Sequence, residues 1–159
     1  MSSPDSPFAA FRFLVDFAPS PSGGAPAGSV ALCQGGFSEC TGLEATMEPK
    51  VIKEGGRNYG ANQRVGPVTF GTVVLKRGMT STRDLWTWFS HINLSGLSAL
   101  RLDVTITVLE PGEASSTPVL RVHLNRALPV KFKCADFSAR ATEVAVEELH
   151  LVHEGLSFE

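Results

Sequence analysis

The chain has 159 residues, which is enough for one domain with a real core and short of the length at which two are expected. Hydrophobic residues make up 43% of it and charged residues only 19%, against about 25% charged in ordinary soluble domains, which indicates that part of the surface is buried in interfaces. The formal net charge of −2 excludes the basic surface with which proteins grip phosphate backbones, so no specific nucleic-acid binding is expected.

The amino-terminal residues 1–7 are rich in Ser and Pro and contain Asp5, so they lack the basic and apolar regions of a secretory signal peptide. No apolar run approaches the about 18 residues of a membrane-spanning helix, and no membrane-spanning segment is expected. The spacing of Cys33, Cys40 and Cys134 matches neither a zinc site nor a disulfide framework. These features predict synthesis in the cytoplasm without a signal peptide.

The first predicted strand covers residues 11–17. Its side chains Phe11, Phe13, Val15 and Phe17 alternate with other residues in the period of two that buries one face of a strand. Residues 18–29 (APSPSGGAPAGS) are so rich in Pro and Gly that they predict a flexible loop.

A broken strand is predicted at residues 30–32 and 37–43, with a bulge or turn between the two parts. Residues 45–54 are extended but contain Pro49, which cannot donate a ladder hydrogen bond and therefore belongs at an edge or in a projecting arm. Residues 55–67 carry four glycines and several amides, which predicts a long surface loop, and residues 68–76 resume a strand.

One α-helix is predicted at about residues 81–92. Ser81 and Asp84 have the spacing of a capping box that satisfies the free amides of a first helical turn. Behind it, apolar side chains recur at helical spacing and predict packing against a sheet, with Trp86 at the margin. We interpret these aromatic residues as packing rather than as a binding platform. The stripe consists of Leu85, Trp88, Phe89 and Ile92.

The carboxyl-terminal half is predicted to consist mainly of β-strands. Residues 102–108 and 120–125 alternate with period two on either side of a Pro-Gly turn and predict a β-hairpin. A short strand is predicted at residues 130–134 and a last, long one at about residues 142–153, with a bulge at the adjacent Glu147 and Glu148. Seven or eight strands and one helix without a βαβ rhythm predict a mainly β protein, an antiparallel barrel or sandwich.

No sequence motif for catalysis is present: the chain has no nucleophile elbow, phosphate loop, dinucleotide fingerprint or His-Glu-x-x-His zinc motif. His150 and His153 are three residues apart in a predicted strand and would point to opposite faces, which disfavours a shared metal. We therefore expect no catalytic, cofactor-binding or metal-binding residues, and a structural role instead.

Several segments together resemble the inner-tube proteins of contractile phage tails and extracellular contractile injection systems. In chain order they are residues 11–17 (FRFLVDF), 36–44 (GFSECTGLE), 74–78 (VLKRG), 103–106 (DVTI) and 143–156 (EVAVEELHLVHEGL). Each segment alone is unspecific, but their order and spacing over nearly the whole chain are specific.

The resemblance implies a single tail-tube domain over residues 1–159 that forms homohexameric rings. Such rings stack into a hollow tube, which the contraction of a surrounding sheath drives through a target envelope. Implied partners are further copies of the chain, the sheath, the baseplate or spike and the tube terminator, with possible protein cargo in the lumen and release of the particle by lysis. Residues 44–67 match the family's extended arm, and the candidate contacts between subunits or rings are Glu48, Lys50, Arg57, Asn58, Tyr59, Asn62 and Arg64.

Two alternatives remain open. The insertion at residues 18–29 is longer than the turn expected in this family, which is compatible with a tube-initiator ring at the baseplate. A monomeric small-ligand-binding β-barrel would need an internal cavity, whereas the large aromatic residues look suited to fill one.

Overall fold

The computed structural model describes residues 12–20, 36–79, 81, 83–94, 101–111, 117–140 and 142–159. The predicted strand at residues 30–32 and most of the predicted loop 18–29 lie outside these ranges, although Ala18 and Pro19 form the end of the first strand. The described elements are β1 (Arg12–Pro19), β2 (Glu39–Thr41), β3 (Ala45–Met47), β4 (Lys50–Ile52), β5 (Asn62–Arg64), β6 (Val68–Phe70), β7 (Val73–Gly78), α1 (Asp84–Leu94), β8 (Leu102–Leu109), β9 (Pro118–Lys133), β10 (Val146–Val152) and β11 (Gly155–Phe158).

Seven strands form one antiparallel sheet in the order β1, β8, β9, β10, β7, β2, with β11 also paired to β9. The sheet has two parts that meet in β9. We call β1, β8, residues 118–127 of β9 and β11 the first half-sheet, and residues 128–133 of β9, β10, β7 and β2 the second half-sheet. The predicted mainly antiparallel β fold with one helix is confirmed.

The strand β9 is continuous, although the sequence predicts two separate strands at residues 120–125 and 130–134. Its change of partner occurs at Arg126, which has a positive φ of 52°. The backbone N–H of Arg126 donates to the carboxylate of Asp103 at 3.0 Å, and its Nε lies 2.8 Å from Oε2 of Glu154. Arg101 contacts the other oxygen of Glu154 at 2.8 Å. These charged contacts compensate for the unfavourable backbone conformation, which is why the strand continues through it.

The core lies on the inner face of the sheet and is closed by the helix. Buried residues alternate with more exposed ones along β7 and β10 and along parts of β8 and β9, as alternation of side chains along a strand requires. In α1, Leu85 and Trp88 are fully buried, Phe89 and Ile92 are half-buried, and Trp86 is half-exposed. The ring of Trp88 meets Phe17 edge-on with centroids 5.5 Å apart. The helix thereby connects the inner faces of the two half-sheets.

A buried ion cluster joins the helix to the second half-sheet. Arg77 on β7 is 3% exposed and donates to the carboxylates of Glu147 on β10 and Asp84 on α1. Its guanidinium also lies 5.7 Å from the ring centroid of Phe37. The guanidinium donates hydrogen bonds to both carboxylates in a site with little water. An unpaired charge there would lower the free energy of unfolding.

The prediction of a bulge at Glu147 and Glu148 is wrong. In the structure Glu147 is opposite Arg77 and Glu148 is opposite Lys76 without a shift of register, and the only register shift of β10 against β9 falls between His150 and Leu151. Glu147 simply takes an inward position that the sequence pattern reserves for an apolar residue. The strand therefore alternates regularly from Val146 to Val152.

Other boundaries also differ from the prediction. The helix begins at Asp84 and ends at Leu94, where residues 81–92 were expected, and the carboxylate of Asp84 accepts from the N–H of Leu85 at 3.1 Å. The strand predicted at residues 68–76 is two strands, β6 and β7, and the last predicted strand begins at Val146 rather than at residue 142. β11 was not predicted at all. Among the described residues, no helix combines the length and the apolar character needed to cross a membrane.

Candidate assembly interface

Residues 44–71 form a long, interrupted hairpin, which we call the arm. β3 pairs with β6, so that Ala45 is opposite Phe70, and β4 pairs with β5, so that Lys50 is opposite Arg64. Neither pair belongs to the seven-stranded sheet. None of its 28 residues is buried, so the arm adds no buried side chain to the core.

Local sequence explains how the arm folds back on itself. A side chain at Gly66 would collide with the carbonyl of Glu48 on the opposite strand, so only glycine permits this close approach. Near the tip, the amide of Asn62 donates to the carboxylate of Glu54 at 3.1 Å, and the N–H of Arg57 donates to the Glu54 carbonyl at 3.4 Å. The arm is therefore an ordered hairpin, with β5 inside the stretch 55–67 that the sequence indicates as a loop.

The structure places the candidate contact residues along this hairpin. Asn62 is half-buried and bonded to Glu54, so its amide already has a role within the arm. Tyr59 is 95% exposed at the tip. That these residues contact neighbouring subunits stays a prediction. The exposed candidates are Glu48, Lys50, Arg57, Asn58, Tyr59 and Arg64.

Four apolar residues of the arm were not among the sequence candidates. Met47 is 42% exposed, Val51 56%, Val65 81% and Val68 51%. They recur along both strands of the hairpin, where a solvated arm would carry polar side chains. The signal was available in the sequence, as valines in a segment already interpreted as projecting, but the prediction favoured charged and amide residues.

The base of the arm meets the core at His153. Its ring lies 5.1 Å from the ring of Phe70, the last residue of β6, and Nδ1 lies 2.9 Å from the Gly155 carbonyl. Because a carbonyl only accepts, Nδ1 carries the proton, and the buried Nε2 has no hydrogen-bond partner among the described residues. Burial lowers the pKa of His153, and its hydrogen bond to Gly155 opposes this only in part.

The buried His153 predicts that acid lowers the free energy of unfolding of the chain. As the folded-state pKa of His153 lies below the ordinary 6.5, the unfolded chain takes up the proton first, so stability is full above pH 6.5 and falls as the pH drops toward the lowered pKa. We expect urea unfolding between about pH 7.5 and about pH 5.5 to show this loss in the wild-type chain. His153→Phe should remove this contribution, whereas His150→Gln, which changes an outward-facing histidine, should keep it. Equal pH dependence of the wild type and His153→Phe would contradict the assignment.

The described residues offer little for catalysis. No three of their His, Cys, Asp and Glu side chains are arranged to hold a metal ion. Burial raises the pKa of the Cys40 thiol to about 11, which keeps it protonated and unreactive. An open cleft of about 360 Å³ lies between β1 and residues 36–38, and Arg12 is the only ionisable group among the described residues that line it.

Comparisons with known proteins identify the family of the chain that carries this arm. The model of the T4-like virus tail tube protein gp19 family matches residues 9–157. The chain belongs to this tail tube family. Proteins of the family are structural and not enzymes, and the chain has a tube-like structural role in a phage tail-like particle of the contractile type.

Solved structures agree with the family. A chain in the cryo-EM structure of the anti-feeding prophage baseplate is 27% identical, with a TM-score of 0.76 over 100% of this chain and 97% of that chain. A chain in the sheath-tube complex of the extracellular contractile injection system PVC is 18% identical, with a TM-score of 0.76 over 98% and 93%. Hcp1 from Flavobacterium johnsoniae, at 13% identity and a TM-score of 0.51 over 93% and 94%, shares the fold alone. A search of the curated proteins gives no match.

Proposed function

We propose that this chain is an inner-tube subunit whose homohexameric rings stack into a rigid hollow tube. On contraction of a sheath, the tube passes through a target envelope and serves as a conduit for cargo. The subunit is made in the cytoplasm and joins a particle that lysis releases. Its partners are further copies of itself, the sheath, the baseplate or spike and the tube terminator.

The arm is the observation that carries this proposal. A hairpin of 28 residues without one buried side chain, and with Val51 and Val65 largely exposed, gains little stability from apolar packing within its own chain. Isolated two-stranded hairpins are marginally stable in water. Packing against a neighbouring copy supplies the apolar contacts that the arm lacks, and it removes its valines from water.

A second candidate function is the tube-initiator ring, which joins the tube to the baseplate. The identity of 27% to a chain in a baseplate structure, against 18% to a chain in a sheath-tube complex, favours it. An initiator needs only one or two rings, since other proteins continue the stack. The two candidates therefore differ in whether the purified chain alone elongates.

Negative-stain electron microscopy of the purified chain tests the proposal. Six-fold rings that stack into long hollow tubes are expected of the main tube subunit, and rings without elongation are expected of the initiator. A monodisperse monomer at high concentration, also after addition of a baseplate, would contradict both and would favour the monomeric ligand-binding barrel. Displacement of an apolar dye by a small ligand would then support that barrel.

A further inference from the structure

The arm concentrates positive charge in a chain that is acidic elsewhere. Residues 50–65, which we call the distal arm, contain four Lys or Arg residues and one Glu, so their net charge is +3. The whole chain has 14 basic and 16 acidic residues, which leaves 10 basic and 15 acidic residues, a net charge of −5, outside the distal arm. We call this remainder the body. Charge is therefore segregated between the distal arm and the body.

Two cations of the distal arm lie directly opposite each other. Lys50 and Arg64 face each other across the pair of β4 and β5, and both side chains are exposed. Neither forms an ion pair with a residue that the structure describes. Glu54, the one acid of the distal arm, instead accepts from the amide of Asn62. Because like charges directly opposite on neighbouring strands are destabilising, this cation pair weakens the hairpin that carries it.

The cation pair and Val51 lie on opposite faces of the arm. Side chains alternate along a strand, so Val51 points away from the face that carries its neighbour Lys50. The residue opposite Val51 is Gln63, and the residue opposite Lys50 is Arg64. The arm therefore has a cationic face in addition to its exposed valines. A partner that covers Val51 does not by itself neutralise the cation pair.

Charge complementarity favours a second copy as the partner of the cationic face. The body carries the surplus of carboxylates that the distal arm lacks. Asp16, Asp136 and Glu143 are examples, since each is exposed and forms no ion pair within the described part of the chain. In a single copy the surplus acids and the cation pair stay apart. Between copies they attract each other, and such attraction accelerates encounter and selects the orientation of binding.

We propose that the Lys50–Arg64 pair binds carboxylates on the body of a second copy. The arm then docks through two faces, one cationic and one apolar. This inference rests on the proposed assembly of copies and names the chemistry that the second copy presents to the arm. It also explains why the hairpin keeps two directly opposed cations: their repulsion is relieved when carboxylates of the partner lie beside them.

Neutralising the pair tests the inference, because two measurements should change in opposite directions. In Lys50→Gln/Arg64→Gln, two ion pairs per contact are lost, and the concentration for half-maximal assembly in sedimentation velocity should rise about tenfold. Below the concentration of assembly, the hairpin should instead become more stable, because its internal repulsion is removed. Amide hydrogen exchange at residues 50–52 and 62–64 should slow by up to about fivefold. A purely structural role of the pair would not produce this opposition.

The matched control is Arg121→Gln/Arg140→Gln. It makes the same change of charge on two exposed cations of the body and should assemble within about threefold of the wild type. Salt gives a second comparison. Raising NaCl from about 50 to about 500 mM should weaken assembly of the wild type and of the control, and it should weaken assembly of Lys50→Gln/Arg64→Gln much less, because screening acts on charges that this variant lacks.

Three results would overturn the inference and leave the proposed function standing. The first is assembly of Lys50→Gln/Arg64→Gln at wild-type concentrations, and the second is an equal loss in the control. The third is binding of the wild type to phosphatidylserine vesicles that this variant loses while it assembles normally, because the pair would then face a lipid surface. A wild type that forms no rings would refute the proposed function, and the inference with it.

Discussion

Arg77→Ala is expected to lower the free energy of unfolding by about 3–5 kcal/mol, the range for breaking a buried ion pair from one side. Arg77 is 3% exposed, and it binds the carboxylate of Glu147, whose side chain is 7% exposed, and that of Asp84, which is 18% exposed. Its removal leaves two carboxylates facing each other without a counter-charge. The start of α1 is expected to loosen with them. Urea unfolding followed by circular dichroism measures the loss.

Two further variants separate the buried charge from other effects. Lys76→Ala, on the same strand but facing outward, breaks only partly exposed pairs and should cost no more than about 1 kcal/mol. Arg77→Met combined with Glu147→Leu replaces the β7–β10 pair by apolar groups and should recover part of the loss, because no charge then remains unpaired between those strands. A loss below about 1 kcal/mol for Arg77→Ala would show that water reaches the cluster.

The double variant Val51→Ser/Val65→Ser should fold normally and fail to form tubes. Both side chains lie in the arm and are exposed, at 56% and 81%, so the core loses nothing and the stability of the monomer should stay within about 0.5 kcal/mol. Full burial of one valine contributes about 1.5–3 kcal/mol. If a neighbouring copy covers the exposed 56% and 81% of the two valines, about 2–4 kcal/mol is lost in the double variant, and assembly should weaken about thirtyfold to a thousandfold per contact.

The matched control for the arm is Val144→Ser. The exposed fraction of Val144, 79%, is close to that of Val65, but Val144 lies outside the arm, just before β10. Filament length in electron micrographs and the sedimentable fraction should stay near wild type. Equal loss in the control and in the arm variant would mean that apolar surface in general, and not the arm, drives assembly. Tubes of normal length from the arm variant would remove the arm from the contact.

The sequence predicted best where alternation was regular. Leu102, Val104 and Ile106 lie on the buried face of β8, and β8 and β9 pair antiparallel as the predicted hairpin requires. The arm was predicted as a projecting segment because Pro49 cannot continue a ladder. The pairing of β4 with β5 was not predicted, because residues 62–64 are all polar and carry no period of two.

The sequence by itself determined the place of most strands that have one apolar face, the place of α1 and the family that the chain resembles. These properties depend on residues close together in the chain, through side-chain period, proline and glycine. The tertiary structure alone decided that Glu147 points inward, because its partner Arg77 is 70 residues away. It also decided that Lys76 lies between Glu39 on one neighbouring strand and Glu148 on the other, since opposition across strands follows from register, and register is settled by how the whole sheet packs.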